Sequence, residues 1–299
     1  MTDTKTFMKL RAVMLDWAGT TVDHGSRAPV LALQALFVQH GIRLSAEQAR
    51  RDMGLLKSDH IRSILMLPDI REQWQQVTGD SPTHTDVETL FQEFSPLQLQ
   101  CITENSQLIE GAAETVQRWQ RRGLRIGTTT GYTRAMLNPV LQQAKTAGYS
   151  PDASVSADEV SAGRPAPWML MRNAQMLDVY PPQACVKIGD TIADIEEGLN
   201  AGMWTIGLTR SGNMIGLDAS EWSVLPAEEK NHRLRQAEQI MLAAGAHMVA
   251  EDLAACDPLL SQIDNYLEQT KTIWKPLVNG QETLGPSPLP AQTDDCEFH

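Results

Sequence analysis

Short apolar runs ending in Asp, Thr or Gly-Asp alternate with amphipathic helical stretches along most of this chain, which leaves few folds open to it. RAVML (11–15), LRIGTTT (124–130), ACVKIGD (184–190), MWTIGL (203–208) and HMVAE (247–251) read as strands. Helical patterns occupy 112–122, 133–146, 166–177, 192–201, 226–244 and 257–269. Strands joined through helices pair in parallel, so the expected fold is α/β with a doubly wound, largely parallel sheet. The stretch from 27 to 100 departs from this pattern. It holds no β run and several helical ones, such as APVLALQALFVQHG closed by Gly41. The expected organisation is therefore a core of 1–25 and 101–271, a helical cap of 26–100 inserted after the first strand, and a flexible tail. That tail, 272–299, is rich in Pro, Gly, Thr and Asp. Ligands of open α/β sheets bind at the carboxyl edge, where an inserted cap would close over them.

Bulk properties exclude several partners. With 42% hydrophobic residues in 299, a packed core is expected, and no stretch reaches the roughly 20 apolar residues that span a membrane. The N-terminus lacks the basic-then-apolar order of a secretory signal. Cys101, Cys185, Cys256 and Cys296 are far apart with no Cys-x-x-Cys spacing, which argues against a zinc site or disulfide framework. A reduced, cytoplasmic protein is expected. The net charge of −12 disfavours nucleic acid and anionic membranes as partners, and it leaves an anionic substrate to be drawn in by local positive charge.

The strand ends carry the chemistry. Asp16 closes the first strand and leads into Trp-Ala-Gly-Thr-Thr-Val-Asp, a turn whose N–H groups and hydroxyls suit a phosphoryl group. Alone, an Asp there is more often a turn or cap residue. The second strand finishes in Thr128-Thr129-Thr130-Gly131, and the third in Gly189-Asp190-Thr191 with Asp194 following. Asp190 and Asp194, at i,i+4 spacing, offer the oxygen ligands that magnesium prefers, although acids at a helix start are common for the dipole alone. Gly163-Arg164-Pro165 supplies a cation between these two strands. Four such features in this order outweigh the ordinary reading of each. In the helical block, positions 57, 60, 61, 64 and 65 read Lys, His, Ile, Ile and Leu. Most helix lysines are solvated, but Lys57 begins an apolar stripe, and a desolvated lysine is a better amine nucleophile. His60, one turn on, is placed to relay protons, against the plainer reading of a packed histidine.

This order resembles the haloacid dehalogenase superfamily over about residues 9–210. DWAGTTVD (16–23), MGLLKSDHI (53–61), TTTGY (128–132), GRPAPW (163–168) and GDTIADIEEGLNAGMWTIGL (189–208) are similar to its phosphonoacetaldehyde hydrolase, or phosphonatase, family. The similarity extends to about residue 265 through GAHMVAEDL. It implies a Rossmann-like core with an α-helical cap, and C–P hydrolysis with Asp16 as nucleophile, Lys57 as Schiff-base amine and His60 as proton relay. It also implies magnesium held by Asp16, the Ala18 carbonyl and Asp190, with Asp194 orienting a magnesium-bound water. Thr130 and Arg164 would hold the phosphoryl oxygens, with Met53, Gly54 and Tyr132 near the substrate. A homodimer through cap helices is implied as well.

Superfamily phosphatases usually carry a second Asp two residues after the nucleophile, as general acid for an oxygen leaving group; here that position is Ala18. Such an acid is typically worth about 10²–10⁴-fold. Carbon leaving from phosphorus needs an electron sink instead, which a lysine imine provides. Two alternatives stay open at this point. One is hydrolysis of a related phosphonate or a phosphate monoester without imine chemistry. The other is a binding protein that keeps the fold without turnover, disfavoured by the complete set Asp16, Arg164, Asp190 and Asp194.

Overall fold

Apolar and β-branched residues buried on both sides make the central strands, as a parallel sheet covered by helices on each face requires. The computed structural model describes Phe7 and residues 9–270; the expected tail at 272–299 lies outside the described residues. β1 (Ala12–Leu15) is followed by five helices: α1 (Arg27–Gln39), α2 (Ala46–Arg50), α3 (Lys57–Leu65), α4 (Pro68–Thr78) and α5 (His84–Asn105). Next come α6 (Ala112–Arg121), β2 (Arg125–Thr130), α7 (Arg134–Thr146), β3 (Ala153–Ser156), α8 (Trp168–Met176), β4 (Cys185–Gly189) and α9 (Ile192–Asn200). β5 (Trp204–Leu208), α10 (Ala219–Val224), α11 (Ala227–Ala243), β6 (Met248–Ala250) and α12 (Cys256–Thr270) complete the described chain.

Across the sheet the order is β3-β2-β1-β4-β5-β6, with every neighbouring pair parallel. This is the doubly wound arrangement expected. The chain turns outward in opposite directions from β1 and β4, so a crevice opens at the carboxyl ends of those two strands. Two elements were not foreseen. β3 is the four-residue edge strand ASVS, too short and too rich in serine to stand out by hydropathy. α10 is a six-residue helix with no buried residue, set by an Asp218–Glu221 capping box rather than an apolar face. α5 also runs beyond residue 100, to Asn105.

Local signals shape the helical block. Capping boxes start α2 (Ser45 with Gln48) and α5 (Thr83 with Asp86), while α4 has Pro68 in its first turn and ends at Gly79 in the left-handed region. Ser26 precedes α1 with φ 49° and makes no side-chain cap; Asp23 does that instead, accepting from the backbone N–H groups of Arg27 and Ala28, each at 2.9 Å. Leu33, Leu36 and Phe37 of α1 join Leu90 and Phe94 of α5 in the main hydrophobic core. Missing side chains let the block sit tightly on the sheet edge. A Cβ on Gly131 would lie 2.5 Å from the Leu55 carbonyl oxygen, and one on Gly54 (φ +96°) would lie 2.6 Å from Thr191 Oγ1.

Candidate active site

β1 delivers Asp16 to the crevice and β4 delivers Asp190 beside it. After Asp16 the chain folds back on itself, with the Trp17 carbonyl accepting from the N–H groups of Thr20, Thr21 and Val22. Gly19 (φ +87°) passes so close to Asp190 that any Cβ would collide with that carboxylate. Asp190 accepts from Thr20 Oγ1 at 2.8 Å and from the Asn213 backbone N–H at 2.8 Å. Asp194 does not reach the site by i,i+4 spacing from Asp190 within one helix, as the sequence suggested. Asp190 lies outside α9, Thr191 is the N-cap, and Asp194 closes a capping box with it. The three carboxylates still converge: oxygens of Asp16, Asp190 and Asp194 lie within 4.8 Å of one another, all buried.

A buried cationic frame stands behind them. Arg164 Nη2 donates to Asp16 at 2.7 Å and to Thr129 Oγ1 at 2.7 Å, and its Nε donates to Glu197 at 2.9 Å. Lys187 Nζ lies 2.8 Å from Asp194 and 3.3 Å from Glu197, and donates to Thr129 at 2.8 Å. Arg164 Nη1 is buried without a protein partner, a donor left over for a bound anion. Lys187 and Glu197 were missed by sequence reasoning, and Thr129, named there only as a strand-end hydroxyl, belongs to this frame. Lys187 was the one visible signal, a charge in the middle of an otherwise apolar strand.

The charges are unequal. Asp16, Asp190, Asp194 and Glu197 are all buried, and the basic side chains paired with them are Arg164 and Lys187. Burial pushes the carboxyls of Asp16 and Asp190 upward, Asp190 further because Asp16 and Asp194 repel its charge. Burial also acts against Asp194, but Arg164 and Lys187 hold its carboxyl below the usual range. Uncompensated buried carboxylates are costly, so converging oxygens with this excess of negative charge fit a bound metal cation.

The pocket above these groups is lined by Asp16, Ala18, Thr130, Tyr132 and Arg164 from the sheet side and by Met53, Gly54 and Lys57 from the helical block. Ser26 and Pro29, to which no role was assigned from sequence, line it as well. Its cavity is about 20 Å³, far below the range of about 300–1,000 Å³ typical of ligand pockets, so the helical block lies closed down on these groups. All five residues of the α3 stripe, Lys57, His60, Ile61, Ile64 and Leu65, are buried. Lys57 is 2% exposed, its Nζ 3.6 Å from Met53 Sδ and 6.0 Å from the Tyr132 ring centre. Burial lowers its pKa to about 8 despite the opposing pull of Asp16. His60 is driven to about 3 by burial and by Lys57, so its ring is neutral, with both nitrogens buried and free of side-chain hydrogen bonds. Thr130 Oγ1 accepts from the Tyr132 N–H at 3.1 Å, which orients the hydroxyl at the pocket floor.

The family model of the haloacid dehalogenase-like hydrolases matches residues 10–202. The phosphonoacetaldehyde hydrolase of Syntrophobacter fumaroxidans is 43% identical over 260 residues, covering 87% of this chain and 94% of that protein. The phosphonoacetaldehyde hydrolase of Bacillus cytotoxicus is 41% identical, covering 89% and 99%. Among solved structures, a phosphonoacetaldehyde hydrolase-like protein from Oleispira antarctica superposes with a TM-score of 0.87 at 38% identity, covering 90% of this chain and 98% of that one. A hydrolase from Pseudomonas syringae, 20% identical with a TM-score of 0.62, shares the fold. With its strand-end carboxylates, buried lysine and this likeness along nearly the whole described chain, the protein belongs to the haloacid dehalogenase-like hydrolases and, within them, to the phosphonoacetaldehyde hydrolase family.

Proposed function

We propose that this chain hydrolyses the carbon–phosphorus bond of phosphonoacetaldehyde, releasing acetaldehyde and phosphate. The observation that carries this reading is a desolvated amine, Lys57, sharing a small closed pocket with the Asp16 carboxylate. Lys57 condenses with the aldehyde, losing water, to give a protonated imine. Asp16 attacks phosphorus, the C–P electron pair moves into the iminium, and an enamine remains on Lys57. Protonation at carbon and hydrolysis release acetaldehyde, and water then hydrolyses the aspartyl-phosphate. His60, neutral, relays protons beside Lys57, accepting at one ring nitrogen as it donates from the other. Arg164 and Thr130 hold phosphoryl oxygens, and Met53, Gly54 and Tyr132 enclose the aldehyde end. Ala18 fits this chemistry, because a departing carbon drawn into an imine needs no carboxylic acid at that position.

The cation is proposed to be magnesium, held by Asp16, the Ala18 carbonyl and Asp190, with Asp194 orienting water. When bound, it supplies positive charge that offsets repulsion between the Asp16 carboxylate and the phosphonate. Residues 26–100 are proposed to act as a cap over a core of 1–25 and 101–271. We also propose a homodimer through the cap helices, where Val38 and Val77 are exposed apolar positions on α1 and α4. Among the described residues no helix is long and apolar enough to cross a membrane. The scattered cysteines, unpaired among the described residues, are the basis on which a cytoplasmic setting is proposed.

The test is release of phosphate and acetaldehyde from phosphonoacetaldehyde in equal amounts, abolished by EDTA and restored by magnesium. Only the neutral amine forms the imine, and its fraction increases as pH rises through about 8. Below that value kcat/KM should therefore climb roughly tenfold per pH unit, then level off above it. A profile flat from pH 6 to 9, or activity that survives EDTA, would contradict the reading.

A further inference from the structure

Asp16 and Lys57 are 5% and 2% exposed, so substrate has access only if the helical block swings away from the sheet edge. The closed arrangement must then be held by contacts that can break and reform. On one flank the seam between the two parts opens into a cleft, walled by Leu67 and Asp69 on one side and by Met214, Arg233 and Ile240 on the other. Arg27 ties α1 to Asp218 and Glu221, but these are exposed ion pairs of the kind that contribute little.

Arg50, the last residue of α2, is different. Its guanidinium Nη1 donates to the Gly25 carbonyl at 2.8 Å, to the Ser26 carbonyl at 3.3 Å and to Asn213 Oδ1 at 3.1 Å, and its Nη2 donates to the Gly216 carbonyl at 3.1 Å. In return Asn213 Nδ2 donates to the Arg50 carbonyl at 3.0 Å. One side chain thus grips the connection entering the block and a loop of the sheet domain. Gly216 (φ +70°) makes room for it, since a Cβ there would lie 2.6 Å from Arg50 Nε. The gripped loop also reaches the chemistry, because the backbone N–H of Asn213 donates to Asp190 at 2.8 Å.

We propose that Arg50 is a positioning residue that latches the helical block shut over the pocket and, through Asn213, ties that closure to Asp190. A planar fork of donors that stays charged is suited to gripping several carbonyls at once. When the block opens, these bonds break together. The Asn213 loop then loses the partner that holds its N–H against Asp190.

The readout is acetylation of Lys57 by an amine-reactive ester, followed by mass spectrometry of its peptide. It needs no phosphonate chemistry, so failure of the latch and failure of the proposed reaction are distinguishable. In Arg50→Ala, Lys57 should be acetylated about tenfold faster than in the native chain, with a KM raised about tenfold and a kcat changed less than about threefold. Arg50→Lys should fall between. Calorimetric titration with magnesium alone should show weaker affinity in Arg50→Ala. Asn213→Ala, which keeps the backbone bond to Asp190 but removes both side-chain bonds to Arg50, should also speed acetylation and serves if Arg50→Ala fails to fold. Acetylation and KM within twofold of native in the folded variants would overturn the latch. Faster acetylation with unchanged magnesium affinity would overturn the tie to Asp190.

Discussion

Lys57→Arg is expected to lower kcat for phosphonoacetaldehyde by about 10⁴-fold or more, the scale seen when a covalent nucleophile is removed, while the protein still folds and still binds inorganic phosphate. A guanidinium keeps the positive charge but stays protonated and forms no imine. The C–P electrons then have no acceptor, although Asp16, Arg164 and the carboxylate cluster are intact. If the site used Lys57 only as a charge contact, the variant would keep activity within about an order of magnitude. Steady-state kinetics with phosphate as a competitive inhibitor separates the two results, since retained inhibition certifies an intact anion site.

Asp16→Asn should be equally severe for turnover, about 10⁵-fold, but at a different step. The amide oxygen is a poor nucleophile toward phosphorus, and the carboxylate that accepts from Arg164 at 2.7 Å is gone. Lys57 is untouched, so the imine should still form and then stall with the C–P bond unbroken. A stopped enzyme that accumulates imine but releases neither phosphate nor acetaldehyde is the expected result. Turnover above a hundredth of the native rate would remove Asp16 from the role of nucleophile. Together the two variants divide the reaction into a carbon half and a phosphorus half.

Much of the site was legible because strand ends are local patterns. Asp16 and Asp190 each terminate an apolar run, and the sheet order that brings them together follows from alternating strands and helices. Lys57 was legible for a related reason: a charge heading the stripe Ile61, Ile64 and Leu65 has to lie on the buried face of α3. What escaped notice depends on pairing over long sequence separations. Lys187 looks like an interruption of ACVKIG, and Glu197 like a solvated helix residue. Both are buried because each satisfies the other, with Lys187 donating to Thr129 and Glu197 accepting from Thr129 and Arg164, brought in from a different strand and loop. Arg50 and Asn213 are 163 residues apart, and no periodicity connects them. β3 was missed because a short strand protected by its neighbours needs little hydrophobicity of its own.

The proposed covalent bond between substrate carbon and the Lys57 nitrogen is the step on which the account turns, and sodium borohydride reduces such an imine to a stable amine. The protein should be treated with phosphonoacetaldehyde and borohydride together, digested, and its Lys57 peptide examined by mass spectrometry. A reduced two-carbon adduct on Lys57, absent without substrate and absent in Lys57→Arg, is the predicted result. Full turnover of phosphonoacetaldehyde with an unmodified Lys57 peptide would contradict imine chemistry and leave Lys57 a buried charge contact.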